Sequence, residues 1–220
     1  MSVQQNNINE TDKKQNITQI KTNDDTETNN DTKTNDDTET NDDIKTQINT
    51  IDNTETKNDI FNSKWIVYGH DPKNDKWTLD TYDRLIELDN ISDFWTLHSC
   101  LNSEKLCENM FFVMRDGIPP QWEHEKNIEG GYYSFKILKC QLKAFWEDIL
   151  IQLLGETILS PELRKNNWMK INGISTSPKK NFCIIKLWMA DKTIQSGEQI
   201  QLFFSNDYKG NLLFKPYDPK

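Results

Sequence analysis

The sequence predicts an α+β fold in which helices cover one face of an antiparallel β-sheet, preceded by an acidic tail without a core. The first observation is that all seven Trp, all ten Phe and all six Tyr follow Asp59, so the core-forming residues lie in residues 61–220. The second is that this region combines short alternating segments, typical of strands, with longer amphipathic segments, typical of helices. Because strands and helices do not alternate regularly along the chain, an antiparallel sheet is favoured over a parallel one.

Residues 1–60 are predicted to form a disordered, low-complexity tail. They contain no Trp, Tyr, Phe, Leu, Gly, Pro or Cys, and they imperfectly repeat a Thr-Asn-Asp-Asp-Thr-Glu-Thr-Asn pattern. A polar tract with only scattered Ile buries too little apolar area to offset the conformational entropy of the chain. We therefore expect no secondary structure before the folded domain, residues 61–220.

Charge is distributed unevenly between the tail and the domain. Residues 1–60 carry 14 acidic and 6 basic side chains, which leaves 21 acidic and 20 basic side chains for residues 61–220. A nearly neutral domain argues against a protein that follows a long phosphate backbone, because such proteins carry a basic stripe. A short anionic ligand held by two or three lysines remains compatible with this charge.

Metal, cofactor and membrane sites are not indicated. The four Cys form no Cys-x-x-Cys pair and the three His form no helix-spaced pair, so the sequence predicts neither a zinc site nor a disulfide framework. The N-terminus lacks an apolar signal core, and no run approaches the roughly 20 apolar residues of a membrane span. We expect a protein of the cytoplasm or nucleus that uses no cofactor.

The domain begins with two predicted strands, Lys64–Tyr68 and Tyr82–Leu88, which are rich in β-favouring residues. Residues 69–80 between them are rich in Asp, Asn and Lys. This composition predicts a loop, with Trp77 near its tip.

Ser92 is the predicted N-cap of a helix that runs from residue 93 to about residue 104. Its buried stripe is expected to comprise Phe94, Leu97 and Leu101. Trp95 lies off this stripe, on the same side as Ile91 four residues earlier. The two residues predict an exposed apolar patch.

Further strands are predicted at residues 109–114, 132–138, 183–188 and 212–217, and a short helix at residues 198–204. The longest helix is predicted at residues 141–158. Its buried face is expected to comprise Leu142, Phe145, Trp146, Ile149, Leu150 and Leu153. Ile151 lies on the opposite side of this helix, with Asp148 and Gly155.

The loop after the third predicted strand carries the most specific motif of the chain. Its sequence is RDGIPPQWEHEKN, residues 115–127, and a Gly-Gly pair at residues 130–131 closes it. This run resembles the signature of the translation initiation factor 4E family, and Asp93-Phe94-Trp95 and Phe145-Trp146 support the resemblance in the family's order. The resemblance covers about residues 61–220. It implies a curved antiparallel sheet with about three helices on its convex face, and a messenger-RNA cap-binding protein rather than an enzyme.

In that family two tryptophans enclose the 7-methylguanine of the cap, and the resemblance assigns these roles to Trp77 and Trp122. Trp188 would contact the methyl group. Methylation at N7 makes guanine cationic, so stacking and cation–π attraction would act together. Glu123 would accept hydrogen bonds from guanine N1–H and N2–H, an adjacent donor pair that adenine and the pyrimidines lack.

The chain departs from the family pattern at one stacking position. Trp77 stands one residue farther from Trp95 than the family spacing, so an insertion lies between them. Tyr82 is the alternative aromatic residue for the stacking role of Trp77.

The phosphate-binding residues are expected to be Lys179, Lys180 and Lys186. Lys179 matches the family's phosphate-binding Arg, and Lys180 is adjacent to it. The second basic position of the family falls on Ile184, so Lys186, on the same strand face as Trp188, is expected to substitute for it. Because lysine presents a point charge rather than a bidentate fork, we expect affinity to depend only weakly on the phosphate chain.

Five residues correspond to the surface on which the family binds a helical peptide from a scaffold subunit or an inhibitory protein. They are Ile91, Trp95, Asp148, Ile151 and Gly155. Apolar side chains exposed on neighbouring helices favour such a helix-in-groove partner. Outside that complex we expect a monomer.

Two alternatives remain open beside an initiation subunit. A repressive cap-binding paralogue would carry the same pocket without supporting initiation. A carbohydrate-active enzyme could use Glu123 and Glu125 as paired carboxylates, since residues two apart in an extended segment point the same way. The specificity of the surrounding motif argues against the enzyme.

Overall fold

The computed structural model describes residues 40–50, 60–200 and 212–218. Within these residues the centre of the fold is a curved, seven-stranded antiparallel sheet with strand order β2-β1-β3-β5-β6-β4-β7. The strands are β1 (Ile60–His70), β2 (Asp83–Asn90), β3 (Met110–Arg115), β4 (Gly131–Leu138), β5 (Ile171–Pro178), β6 (Phe182–Met189) and β7 (Phe214–Pro216). The α-helices are α1 (Asn41–Thr50), α2 (Ile91–Cys100), α3 (Ser103–Glu108), α4 (Glu125–Ile128), α5 (Leu142–Leu154) and α6 (Pro161–Asn167). The predicted α+β class with an antiparallel sheet is confirmed.

Helices cover one face of the sheet and enclose the main hydrophobic core. The predicted apolar face of α5 is buried there, and so are Phe94 and Leu97 of α2. From β3, Phe111 and Val113 enter this core and are fully buried. Packed apolar side chains therefore hold β3 in place from the helix-covered face of the sheet.

The opposite face of the sheet carries a second, smaller apolar cluster. Because side chains alternate along a strand, Phe112 and Met114 of β3 point to this face and join Trp188 of β6. Trp122 and Tyr217 pack against the cluster and are partly buried. The small size of this cluster leaves room for an open cleft.

The start of α2 differs from the prediction, because its N-cap is Asn90 rather than Ser92. The Asn90 side chain accepts a hydrogen bond from the Asp93 backbone N–H at 3.0 Å. In return the Asp93 carboxylate accepts one from the Asn90 backbone N–H at 3.1 Å. This capping box satisfies two backbone donors at once and starts the helix at Ile91.

The helix predicted to reach residue 104 is in fact two helices, α2 and α3. The Asn102 side chain caps α3 by accepting from the Lys105 backbone N–H at 2.8 Å, so the chain leaves the helical conformation between them. The long helix α5 is shorter than predicted and has Gly155 as its C-cap. The next residue, Glu156, has a positive φ of 55°, which ends the helical path.

The prediction that no secondary structure precedes residue 60 is wrong for α1. Ile44 is fully buried and Ile48 is 7% exposed, and both join the main core. Asn41 Nδ2 donates to Asp83 Oδ2 at 3.0 Å, at the start of β2. Because residues four apart share one face of a helix, two of the scattered Ile are enough to dock this short segment. The rest of the predicted tail, residues 1–39 and 51–59, lies outside the described residues.

Other differences concern elements with weak local patterns. The sequence pattern missed β5, α4 and α6. Of the helix predicted at residues 198–204, residues 201–204 lie outside the described residues, and Gly197–Gln199 forms a single 3₁₀ turn. Among the described residues, no helix has the length and apolar composition needed to cross a membrane.

Candidate functional site

A cleft of about 510 Å³ opens on the sheet face opposite the helices. It brings together six of the seven residues predicted to bind the base and phosphates, namely Trp77, Trp122, Glu123, Trp188, Lys179 and Lys186. Tyr82 also lines the cleft, so it adds an aromatic wall beside Trp77 rather than replacing it. Lys180 does not line the cleft.

Trp77 lies in the loop between β1 and β2 and is 49% exposed. One face of its indole is covered by His70, the last residue of β1, with ring centroids 4.3 Å apart and planes 3° apart. Gln121 Nε2 donates to the Trp77 carbonyl oxygen at 3.3 Å and connects this loop to the one that carries Trp122. Trp77 therefore lines the cleft despite the extra residue between it and Trp95.

The Trp122 loop is shaped by Asn127, whose side chain is fully buried. Its Nδ2 donates to the carbonyl oxygens of Pro119 and Gln121 at 3.1 and 2.8 Å. Its Oδ1 accepts from Nδ2 of Asn172 in β5 at 2.8 Å. One buried amide thus satisfies backbone acceptors of the turn and anchors it to the sheet. Asn127 lies inside the sequence motif, but its role requires the fold.

Glu123 is exposed at the rim of the cleft, close to Tyr82. Burial, followed by the negative charge of Glu123, raises the pKa of Tyr82 to about 12, so this phenol is neutral at physiological pH. Glu125 is the first residue of α4 and does not line the cleft. The extended segment that would aim both carboxylates at one ligand is replaced by a turn.

Trp188 forms part of the cleft wall and is only 6% exposed. Its Nε1 donates to Ser175 Oγ at 2.9 Å, a bond between neighbouring strands β5 and β6. Its ring meets Phe112 edge-to-face, with centroids 6.2 Å apart and planes 73° apart. Because both contacts restrain the indole, Trp188 presents a fixed apolar surface.

Two lysines bring positive charge to the cleft. Lys179 and Lys186 line it, and so does Ile184, the position expected to replace the family's second basic residue. The Lys186 ammonium lies 4.3 Å from the centroid of the Tyr132 ring. Burial, followed by the charges of Lys179 and Lys215, lowers the pKa of Lys186. An anionic group bound here would offset this repulsion.

The predicted partner residues lie on the exposed surface of α2 and α5. Ile91, Trp95 and Ile151 are 41%, 56% and 53% exposed, and Asp148 and Gly155 are also exposed. Next to them, His98 Nε2 of α2 and Glu147 Oε1 of α5 lie 2.5 Å apart and link the two helices. The patch therefore combines exposed apolar side chains with a side-chain link between the two helices.

An aromatic cleft with a carboxylate at its rim and two lysines in its lining suits a flat base joined to anionic groups. The fold and the site thus define an α+β protein with an aromatic cleft on the sheet face opposite its helices. Among the described residues, no group of His, Cys, Asp and Glu is placed to hold a metal ion.

Residues 60–214 match the family model described as Eukaryotic initiation factor 4E. This chain therefore belongs to the eukaryotic initiation factor 4E family, a family of translation initiation factors rather than of enzymes.

Curated relatives share moderate identity with the chain. Human eukaryotic translation initiation factor 4E is 38% identical over 95 residues, which cover 39% of this chain and 43% of the human protein. The Candida albicans factor is 24% identical over 140 residues, which cover 59% of this chain and 64% of the relative. The chain thus spans less than two thirds of the length of the curated relatives that it matches.

Solved structures share the fold. The Ascaris suum eIF4E-3 structure, described as a complex with the m7G cap, has a TM-score of 0.54 at 20% identity, covering 62% of this chain and 76% of that chain. A Caenorhabditis elegans eIF4E-3 structure, described as a complex with the 4E-binding protein Mextli and a cap analog, has the same scores and coverage. At this identity the neighbours establish the fold alone.

Proposed function

We propose that the cleft binds the 7-methylguanosine cap of messenger RNA and that the chain recruits capped messenger RNA for translation initiation. The observation that carries the proposal is the convergence of Trp77, Trp122, Glu123 and Trp188 on one cleft of about 510 Å³. Family membership supports it, and so does the m7G cap named for the Ascaris suum relative.

The methylated base is held between the indoles of Trp77 and Trp122. Each stacked indole contributes roughly 1–3 kcal/mol on the scale measured for nucleic-acid bases. Because N7 methylation gives the base a positive charge, the electron-rich indole faces add cation–π attraction of about 0.5–2 kcal/mol. The pair therefore recognises the methylated state as well as the flat shape of the base.

Glu123 is the residue that distinguishes guanine from the other bases. Its carboxylate accepts hydrogen bonds from N1–H and N2–H of guanine, and the cationic ring makes this pair charge-assisted. Trp188, held by its bond to Ser175, offers an apolar surface to the methyl group. Together these residues favour 7-methylguanine over other bases.

The phosphates of the cap extend from the base toward Lys179 and Lys186. Burial, followed by repulsion from Lys179 and Lys215, lowers the pKa of Lys186, and the negative charge of the phosphates counteracts both effects. Lysines give charge without the bidentate geometry of arginine, so we expect the phosphates to add less to affinity than the base does.

The partner of this subunit is a helical peptide from a scaffold protein or an inhibitory protein, bound to the exposed surface of α2 and α5. The exposed side chains of Ile91, Trp95 and Ile151 provide the apolar contact that such a helix needs. The Mextli complex named for the Caenorhabditis elegans relative supports a protein partner of this kind. We expect a cytoplasmic protein that is monomeric outside this complex.

The test of base recognition is tryptophan fluorescence quenching by 7-methyl-GTP and by GTP, in the natural chain and in Trp122→Ala and Glu123→Ala. We expect strong preference for the methylated nucleotide in the natural chain and loss of binding in both variants. Glu125→Ala is the matched control and should bind normally, because Glu125 does not line the cleft. Equal affinity for both nucleotides would refute the cation–π mechanism.

Initiation and repression are separated by a second measurement. In a cap-dependent translation extract depleted of its own cap-binding subunit, an initiation subunit restores synthesis from capped messenger RNA. A chain that binds the cap but fails to restore synthesis would be the repressive paralogue.

A further inference from the structure

Two aromatic rings outside the cleft lining pack against its two stacking tryptophans. His70 stacks on Trp77 and Tyr217 stacks on Trp122, yet neither His70 nor Tyr217 lines the cleft. Each ring therefore contacts its tryptophan without being one of the residues that line the cleft. The two supporting rings come from opposite ends of the folded domain.

His70 is held from several sides. It is fully buried, and its ring lies 4.3 Å from Trp77 and 4.9 Å from Tyr82 between centroids. Its Nε2 lies 2.9 Å from the carbonyl oxygen of Lys76. A carbonyl oxygen only accepts, so Nε2 carries the hydrogen and donates it. His70 thus fixes both the indole of Trp77 and the backbone of the residue before it.

Tyr217 plays the corresponding part for the second indole. Its ring centroid lies 6.1 Å from that of Trp122, with planes 29° apart, and 5.7 Å from that of Trp188. The backbone N–H of Tyr217 donates to the Gly130 carbonyl oxygen at 3.1 Å, directly after β7. The ring is therefore tied to the sheet and contacts two of the three cleft tryptophans.

We infer that His70 and Tyr217 are positioning residues for cap binding, which hold Trp77 and Trp122 in the stacking orientation before the base arrives. The inference rests on the proposed function of the cleft. A loop tryptophan without support loses rotamer freedom when the ligand binds, and that loss weakens affinity. A ring packed against the indole restricts the tryptophan in the free protein, so binding the ligand costs less entropy.

The experiment compares variants that keep a ring with variants that keep only apolar bulk. His70→Phe and Tyr217→Phe retain an aromatic ring, whereas His70→Leu and Tyr217→Leu do not. Affinity for 7-methyl-GTP is measured by calorimetry, because the variants alter tryptophan fluorescence, and melting temperatures are recorded in parallel. We expect each Leu variant to bind about five- to tenfold more weakly and each Phe variant to stay within about twofold of the natural chain.

A third variant separates the ring of His70 from its hydrogen bond. His70→Gln keeps a donor that can reach the Lys76 carbonyl but has no ring. We expect a loss of affinity similar to that of His70→Leu. Natural affinity in His70→Gln would overturn the role of the ring.

The outcomes distinguish the inference from the function on which it rests. If the natural chain does not bind 7-methyl-GTP, the proposed function fails and the inference fails with it. If the natural chain binds and folded Leu variants bind equally well, the inference alone is overturned. Equal losses in the Phe and Leu variants would also contradict it, because the aromatic ring would then be irrelevant. The two positions are independent, so a variant that does not fold leaves the other position to decide.

Discussion

The two faces of the sheet use tryptophan in opposite ways. On the helix-covered face, Trp65, Trp146 and Trp168 are 0%, 2% and 8% exposed and belong to the main core. On the other face, Trp77 is 49% exposed, and Trp122 is partly buried, packs against Tyr217 and lines the cleft. An enclosed indole contributes to folding stability, whereas an indole with an open face is available to a ligand. Access to the cleft, rather than burial alone, therefore distinguishes the candidate binding tryptophans, since Trp188 lines the cleft although it is only 6% exposed.

The helix-covered face also contains a cation–π contact of the kind proposed for the ligand, made by a side chain of the protein itself. The Arg115 guanidinium lies 4.5 Å from the ring centroid of Trp65 and 5.5 Å from that of Trp168. It donates to the Ile171 carbonyl oxygen at 2.9 Å. Here a planar cation contacts two indoles and its hydrogen bonds are satisfied by the fold. In the cleft, the ligand would have to supply the cation.

The largest effect is expected from a core tryptophan. Trp146→Ala should lower the free energy of unfolding by about 3–5 kcal/mol, because it leaves a cavity between α5 and the sheet. Trp95→Ala is the matched control, since Trp95 is 56% exposed and its loss should change stability by less than about 0.5 kcal/mol. Urea denaturation measures both, and similar values would contradict the structural role of the buried Trp146.

A smaller loss is expected from α1 at the edge of the same core. Ile44→Ala should lower the free energy of unfolding by about 2 kcal/mol, the lower end of the range for a buried Ile, because α1 can detach as a unit. Lys45→Ala, at an exposed position on the same helix, should have little effect. Hydrogen exchange of residues 41–50 in the full chain checks whether α1 opens separately. Unchanged exchange and stability in Ile44→Ala would show that α1 is not docked.

On the cleft face, the effect of Lys186 should depend on pH. Its pKa is lowered by burial and by Lys179 and Lys215, so it loses its charge at a lower pH than an ordinary lysine. The ratio of the affinity for 7-methyl-GTP to that for 7-methylguanosine should therefore fall at a lower pH than it would if Lys186 titrated as an ordinary lysine. Because both ligands carry the same base, the titration of that base affects both affinities and cancels from the ratio.

Lys186→Met provides the control for that pH series. It should reduce the ratio by about fivefold at pH 7, corresponding to roughly 1 kcal/mol, the upper end of the range measured for a solvent-accessible ion pair. The remaining ratio should change less with pH than in the natural chain. An identical pH dependence in both proteins would contradict the role of Lys186.

The smallest effect is expected at Lys180, which does not line the cleft. Lys180→Met should change the affinity for 7-methyl-GTP by less than about twofold, as expected for a solvated surface charge. Lys179→Met, one position earlier and inside the cleft, should weaken binding more. Isothermal titration of the two variants under one buffer condition makes the comparison, and a larger loss in Lys180→Met would refute the assignment.

Much of the sheet is predictable because its strands have strong local patterns. β1, β3, β4 and β6 were each anticipated within a few residues, and the apolar face of α5 is correct throughout. β5 was missed because Asn172, Gly173, Ser175 and Thr176 give it no apolar alternation. These residues are buried because β5 lies between β3 and β6, and its neighbours supply that environment.

The residues of the site also differ in how far the sequence predicts them. The motif around Trp122 and Glu123 was sufficient to predict the family, which the match over residues 60–214 confirms. The supporting residues His70 and Tyr217 are not marked by any local sequence pattern. His70 is the last residue of β1, and Tyr217 directly follows β7. Their contacts exist only after residues far apart in sequence are brought together.

The sequence by itself determined the composition of the domain, the class of the fold and the motif that carries base recognition, because these depend on local pattern and on side-chain chemistry. Tertiary structure alone decided that Lys180 lies outside the cleft, which rings pack against the cleft tryptophans, and whether a polar segment such as α1 docks. These features depend on packing between segments distant along the chain, and local pattern does not encode that packing.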